Sequence, residues 1–478
     1  MLTRLEIDGF KTFEKLDISL SPFTVILGSN AAGKSNLFDA IKLLSNLATK
    51  DVAEALKDMR GEPMELFRQT PGEGRVRKIS LAAEVLVDPL VRDPWGSEVK
   101  LTHTRMRYEV TLERREIKAG LERIQVASEA VYPIMRKDDR WAEAQVSAKA
   151  AGEHAKAFRT AYLKYARQKP WLTTERLEEG LSFSIHQDGK PGRNRPASAA
   201  EATVLYSITN AEFPHLFALR EEMRHWRLLQ LDPTLLRRPV PVTASEVLDV
   251  DGANLAAVLA RLKAETKGPD HPGGVLSDIA IELNSLIPGV VGLDVELHDA
   301  SREYRIELKM RDGLPYTSRV ISDGTLRVLA LLTLLNDPEH RGLICFEEPE
   351  NGVHPGRVRQ LVRRLNDMVS APMTFMSSEG PPVPLSQLLL NSHSPVVLSA
   401  LLEEGDDEQA LDAEILFADT ATVSDPDHHE LRRRTRLRPV VRPHSEVQAE
   451  LFDADHVPQG HVSMLEVNNV LGTVSSEG

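Results

Sequence analysis

Three carboxylates crowd one short stretch. In LICFEEPENGVHP, residues 343–355, Glu347, Glu348 and Glu350 follow directly on an apolar run. A strand this apolar is normally buried, and buried carboxylates need a partner. Like charges held so close also repel unless a cation lies between them. Pro349 stiffens the exit. The pattern fits a strand end that faces a cation, and a second stretch says which one. Gly28-Ser29-Asn30-Ala31-Ala32-Gly33-Lys34-Ser35 fits the phosphate-loop spacing G-x-x-x-x-G-K-[ST]. It follows the apolar run FTVIL and, through Asn36, enters a helix with Leu37, Ile41, Leu44 and Ala48 on one face. Glycines let backbone N–H groups wrap phosphates, and the helix start adds partial positive charge. Lys34 is expected to reach the β- and γ-phosphates, and Ser35 to ligate Mg²⁺. Such a loop needs a strand that brings a carboxylate to the metal. Glu347 is expected to hold Mg²⁺ through water, and Glu348 to polarise the water that attacks the γ-phosphate. The implied ligand is Mg²⁺-bound ATP.

Two further segments extend this site. VISDGTLRVLALLTLL places Ser322, Asp323, Gly324 and Thr325 at the start of a helix that is apolar nearly all round. A Ser and a Gly at a helix start form a second anion cradle; the plainer reading is an ordinary N-cap. One chain does not need two cradles for one phosphate, whereas two chains packed head to tail do. In LLLNSHSP the apolar run leads to His393, which at a strand's C-terminal end can hydrogen-bond a γ-phosphate.

The elements that must position these groups alternate in type. TRLEIDGF and KLDISL alternate as half-buried strands do, and FTVIL reads as a fully buried one. Further strands are expected at 78–87, 105–113 and 121–132, then at 291–297 and 303–310. Residues 142–169 are Ala-rich and read as a helix stopped by Pro170, and 186–200 read as a loop. Residues 212–233 read as a helix running into a strand, and 252–263 and 275–286 as helices. The expected class is α/β with mixed sheets, interrupted by a mainly helical insertion. Four regions follow: 1–134, a first lobe with the phosphate loop; 135–270, an inserted recognition or oligomerisation module; 271–400, a second lobe with the SDGT segment, the acidic strand and His393; and 401–478, a hairpin (414–417 with 435–441) and an irregular tail.

Composition bounds the rest. The 478 residues carry a formal charge of −13, which argues against a globally basic DNA-coating protein but not against a local basic groove. No apolar run is long enough to span a membrane, and the N-terminus lacks a signal-peptide pattern. Cys345 is the single cysteine, so no internal disulfide forms. A cytoplasmic location and no membrane partner are expected.

The order phosphate loop, SDGT, EEPENGVHP and SHSP resembles that of ABC-type ATPases. The opening IDGFKTFEKLDISLSPFTVILGSNAAGKSNLFDAI resembles SMC, RecF and OLD-type ATPases rather than transporter ATPases. EEPENGVHP and SHSP look like the OLD-like predicted ATPases of bacteria. The resemblance covers roughly residues 1–130 and 275–400. It implies an ABC-type P-loop ATPase head that closes head to tail around ATP as a homodimer, or as a higher even-numbered oligomer. In that picture 28–35 is the Walker A loop, 322–325 the signature, Glu347 and Glu348 the Walker B end, 350–355 the D-loop and His393 the switch histidine. Two positions depart from the family pattern: Glu347 stands where Asp is usual, and the signature reads SDGT. Gln69 is the candidate Q-loop residue, although a surface glutamine is the plainer reading.

The resemblance implies an ATP-driven switch in antiphage defence with a separately encoded effector such as a nuclease. A RecF-like DNA repair or maintenance factor and a weakly hydrolysing scaffold are the alternatives; a transporter ATPase fits least. LRRRTRLRP (431–439) puts Arg432, Arg434, Arg436 and Arg438 on one strand face, which could track DNA or RNA phosphates or simply guard a sheet edge. DPDHHE (425–430) reads as a solvated turn, and no nuclease centre is expected in this chain.

Overall fold

The computed structural model describes residues 1–70, 74–118, 121–146, 152–177, 180–187, 190–269, 271–337, 342–370, 372, 384–402, 411, 413–424, 431–441 and 461–475. Its central layer is a six-stranded sheet. The strand order is Arg227–Leu229, Gly342–Glu347, Ser386–Ser392, Phe23–Gly28, Glu414–Ser424 and Leu431–Pro439. All neighbours are parallel except the last pair, an antiparallel hairpin.

The apolar runs of the sequence have a direct cause in this layer. Successive side chains of a strand point to opposite faces, and here both faces are covered. In Phe23–Gly28, Ile26 enters one core while Phe23, Val25 and Leu27 enter another. Leu343 and Cys345 likewise face the first core, and Ile344 and Phe346 the second. Parallel strands buried on both sides read as continuous hydrophobic runs.

The first core lies under an antiparallel sheet of eight strands, ordered Lys190–Pro196, Gly180–Gln187, Leu172–Leu177, Leu121–Pro133, Arg105–Lys118, Lys78–Leu86, Leu2–Asp8 and Leu16–Ser19. The second core holds helix Asp323–Leu335, which begins at the SDGT segment, against helices Leu255–Thr266 and Leu276–Leu286. Beside it, strand Glu303–Met310 pairs with Val240–Pro241, Val290–His298 and Pro315–Thr317.

The inserted region contributes the expected helices but divides them differently. The Ala-rich stretch forms two helices, Arg140–Val146 and Glu153–Tyr162, instead of one. The segment read as a loop contains strand Lys190–Pro196. With its two neighbours this strand extends the first sheet, so the insertion is partly a continuation of the first lobe. The C-terminal hairpin is longer than expected, at Glu414–Ser424 with Leu431–Pro439, and a helix, Met464–Ser475, follows where an irregular end was expected.

One buried carboxylate ties the insertion to the first sheet. Glu129, fully enclosed, accepts hydrogen bonds from the Val204 and Leu205 backbone N–H groups and from Tyr108 Oη. Burial pushes its carboxyl from an ordinary 4.5 up to about 7, against the pull of the Leu205 and Val204 donors. The folded state thus binds this proton more tightly than the unfolded chain. The stability it contributes is complete below the unfolded value and is lost as pH rises through about 7. Glu129→Gln should therefore flatten the fall in melting temperature between those two pH values, read from thermal melts across a pH series.

Candidate nucleotide site

The site stands at the C-terminal edge of the parallel sheet, where α/β folds place ligands. Three strand ends meet there in register: Asn391 lies beside Glu347 on one side and Ile26 on the other, and Ser392 beside Leu27. The strand carrying Asn391 separates the acidic strand from the phosphate-loop strand.

The phosphate loop leaves Phe23–Gly28 and enters helix Lys34–Leu47. Gly28 lies against the hairpin: a Cβ there would fall 2.4 Å from the Ala418 carbonyl oxygen. Gly33 has φ +93°, and its Cβ would fall 2.2 Å from Thr435 Oγ1. Ala31 also takes a left-handed conformation, φ 62°, where a glycine would be easier. The helix has no side-chain cap and no acidic residue in its first turn. Its N-terminal end is therefore suited to an anion. The conformation and the contact at residue 33 give a prediction. Gly33→Ala should strain the loop by about 1–3 kcal/mol and weaken nucleotide binding, checked by thermal melts and by titration of a fluorescent ATP analogue.

Lys34 folds back along the loop, its Nζ donating to Gly28 O at 2.7 Å and Ser29 O at 2.9 Å. Burial lowers its pKa, while Glu348, Glu347 and Glu350 pull it back up. Residues 30–36, Glu347, Glu348 and Asn391 line one cavity of about 210 Å³. The loop, Lys34, Glu347 and Glu348 thus meet at one cavity.

The acids are held individually. Glu347 Oε1 accepts from Asn391 Nδ2 at 3.1 Å. Glu348 sits at φ 53°, a strained conformation for a residue with a side chain. Its backbone N–H donates to Asn391 O at 2.9 Å, and its Oε2 accepts from Asn351 Nδ2 at 2.7 Å. His393 Nδ1 stands 2.8 Å from Glu348 Oε1, close enough for an ionic contact but without hydrogen-bond alignment. Glu350 accepts from Ser392 Oγ, and burial raises its carboxyl above the ordinary range. The Ser35 hydroxyl and the Glu347 carboxylate form a hard-oxygen donor pair beside the phosphate loop, which suits Mg²⁺.

Ser322, Asp323, Gly324 and Thr325 do not line this cavity in their own chain. Ser322 caps its helix, its Oγ accepting from Thr325 N at 3.2 Å, so the plainer N-cap reading holds at this residue. Ser322 and Asp323 are nevertheless exposed. Gly324 packs backbone to backbone on the D-loop: a Cβ on Gly324 would lie 2.4 Å from Gly352 Cα. Only glycine at both positions permits that approach.

Several residues of the site carried little signal. Asn391 is a polar residue closing an apolar run, and that break was its clue. Thr12 bonds Asn36 Nδ2 at 3.0 Å and Thr435 Oγ1 at 2.8 Å, bringing residues from opposite ends of the chain onto the loop. Arg60 reaches Ser35 O at 3.1 Å and, together with Lys11, pairs with the buried Asp39. Gln69 is exposed on the two-residue strand Gln69–Thr70 and does not line the cavity. On the basic strand, Arg436 and Arg438 pair with Asp419, and Arg438 also with Glu466. The Arg432 side chain and residues 425–430 lie outside the described residues.

Together, the phosphate loop on a parallel strand and two carboxylates on the next strand but one define a P-loop ATPase fold. The chain belongs to the family described as "AAA domain, putative AbiEii toxin, Type IV TA system", whose model matches residues 23–399. No curated protein matches it. Among solved structures it is similar to an Smc head bound to the C-terminal winged-helix domain of ScpA, at 14% identity and TM-score 0.46, covering 94% of this chain and 99% of that one. It is also similar to the SMC head domain from Thermotoga maritima, at 11% identity and TM-score 0.37, covering 92% and 99%. A third is the Pyrococcus furiosus Smc head with an extended coiled coil, bound to the C-terminal domain of ScpA, at 12% identity and TM-score 0.42, covering 94% and 98%.

Proposed function

We propose that this protein is an ATP-hydrolysing switch that dimerises head to tail around ATP. The observation that carries the reading is that the SDGT segment is exposed at Ser322 and Asp323 and takes no part in its own chain's cavity. The cavity of residues 30–36 with Glu347 and Glu348 excludes the exposed Ser322 and Asp323 of the same chain. In this reading each chain gives its phosphate loop to one ATP and its signature to the partner's.

Within each half the roles follow from position. Lys34 leaves its two backbone carbonyls for the β- and γ-phosphates. The amides of 30–36 cradle the phosphates, and Ser35 and Glu347 hold Mg²⁺. Bound there, Mg²⁺ would neutralise phosphate charge. Glu348 takes the proton of the attacking water, with His393 beside it to hold the γ-phosphate. Asn391 fixes Glu347 and the Glu348 backbone. The extra methylene of Glu347 relative to Asp suits a water-bridged metal contact.

The four regions given by the sequence serve as the proposed domain division, except that strands Leu172–Leu177, Gly180–Gln187 and Lys190–Pro196 of the insertion join the first lobe's sheet, with the rest of the insertion as the receiver of a partner or trigger. The family description, a putative toxin of a type IV TA system, supports a toxin-linked role, and antiphage defence with a separately encoded effector is what the motif resemblance adds to the proposal. No helix among the described residues is long and apolar enough to cross a membrane, and a cytoplasmic location is part of the proposal. The pairing of Arg436 and Arg438 with acids favours a guarded sheet edge over a nucleic-acid track. The test is sedimentation of the pure protein with a non-hydrolysable ATP analogue and Mg²⁺. Mass should double with the analogue and stay single with ADP; a single mass in both rejects the switch.

A further inference from the structure

The signature carries an acid where it should least want one. Asp323 opens the helix whose N-terminus, in the reading above, meets a phosphate of a second copy. A carboxylate there repels the triphosphate unless something cancels it. The structure supplies that something from the inserted region. Arg237 forms an ion pair with Asp323 through Nη2. Through Nη1 it reaches the backbone carbonyls of Ile321 at 2.5 Å, Arg319 at 3.1 Å and Ser318 at 3.4 Å. The grip is mutual, because Ser318 Oγ donates to Arg237 O at 3.0 Å.

We propose that Arg237 is the positioning residue of the signature loop. It fixes the turn at 318–321 and cancels the charge of Asp323, so that the helix start can accept phosphate from a second copy. The inference rests on the head-to-tail reading and deepens it. A guanidinium suits this task because its planar fork serves several acceptors at once. Its side chain is 27% exposed and that of Asp323 66%, so the pair lies at the surface where a partner would arrive. The same strap grips the helix a second time, where Arg327 Nη2 donates to Leu231 O at 3.3 Å. Whatever moves residues 231–237 therefore moves the signature, which gives the insertion a route to the site.

The test uses the full chain carrying Glu348→Gln, in which ATP-bound dimers should persist. Arg237→Ala is added to it, and ATP-dependent dimerisation and single-chain affinity for a fluorescent ATP analogue are read separately. The expected result is dimerisation weakened about 10-fold or more, with single-chain affinity changed less than about twofold. Adding Asp323→Asn should restore the part of the dimerisation lost to the uncancelled charge, while the part that depends on the grip at 318–321 stays lost. Arg237→Lys keeps the charge but loses the fork that serves several acceptors, so its dimerisation should fall between that of the parent and that of the alanine variant. The inference is overturned if Arg237→Ala dimerises like its parent, if Asp323→Asn restores nothing, or if the lysine variant falls as far as the alanine one. If the Glu348→Gln parent itself fails to dimerise, the head-to-tail reading falls first and takes this inference with it.

Discussion

Glu348→Gln should cut ATP turnover by about 10²–10⁴-fold, the usual contribution of a general base, while leaving ATP binding intact. The reason is local. Glu348 is held in a left-handed backbone conformation by hydrogen bonds from Asn351 and to Asn391. That strain aims its carboxylate into the cavity, alongside His393. Glutamine preserves the shape and the hydrogen-bond acceptor but cannot take a proton from water. Binding energy that normally ends in hydrolysis would then accumulate as the closed, ATP-bound form. Single-turnover kinetics with radiolabelled ATP separates the two steps. Turnover within a few-fold of wild type would show that another group activates the water.

The second large effect belongs to Lys34. Lys34→Ala should lower ATP affinity by roughly 10–150-fold, corresponding to the loss of a charged hydrogen bond of about 1.5–3 kcal/mol. The ammonium is buried, and burial already lowers its pKa. Its two carbonyl partners are neutral, so it meets no full counter-charge through hydrogen bonds. An arriving triphosphate supplies that charge, while burial lowers the lysine pKa and the three nearby acids oppose that lowering. Removing the lysine also removes a positive charge that interacts with Glu347, Glu348 and Glu350, so the acids' repulsion of the triphosphate adds to the loss. Equilibrium titration with a fluorescent ATP analogue reads this directly; unchanged affinity would mean that the loop amides alone carry binding.

Much of the site was legible because its chemistry is local in sequence. A phosphate loop is one turn between one strand and one helix, so its glycines, lysine and serine sit within eight residues. The acids at 347 and 348 betrayed themselves by ending a buried strand. His393 was readable for the same reason. The partners that the sequence left obscure are those brought together only by the fold. Thr12 and Thr435 meet on the loop from opposite ends of the chain, and nothing in either neighbourhood marks them. Arg237 lies far from Asp323 in sequence, and its type alone reads as an ordinary surface arginine. Asn391 gave a faint sign, a polar residue where the run should have stayed apolar.

The fold divides in the same way. Strands buried on both faces were evident from continuous apolar runs, and the helices 255–266 and 276–286 from their periodicity. The strand at 190–196 was not, because KPGRNRP has neither alternation nor apolar content. It forms as an edge strand on Gly180–Gln187, with pairing rather than burial holding it. The Ala-rich stretch was read through Gly152, which takes an extended conformation at the start of the second helix and is a poor residue for a helix interior.

The claim on which all else depends is that each hydrolytic centre is shared between two copies. The most direct measurement mixes two inactive variants, Lys34→Ala and Ser322→Arg, and follows ATP turnover. The first keeps a sound signature and the second a sound phosphate loop, so a mixed pair contains one complete centre. The account predicts that each variant alone is inactive and that the equimolar mixture recovers roughly a quarter of wild-type turnover, the share of sites that random pairing leaves whole. A mixture no more active than its components, or a Ser322→Arg chain that hydrolyses ATP alone at the wild-type rate, would contradict it.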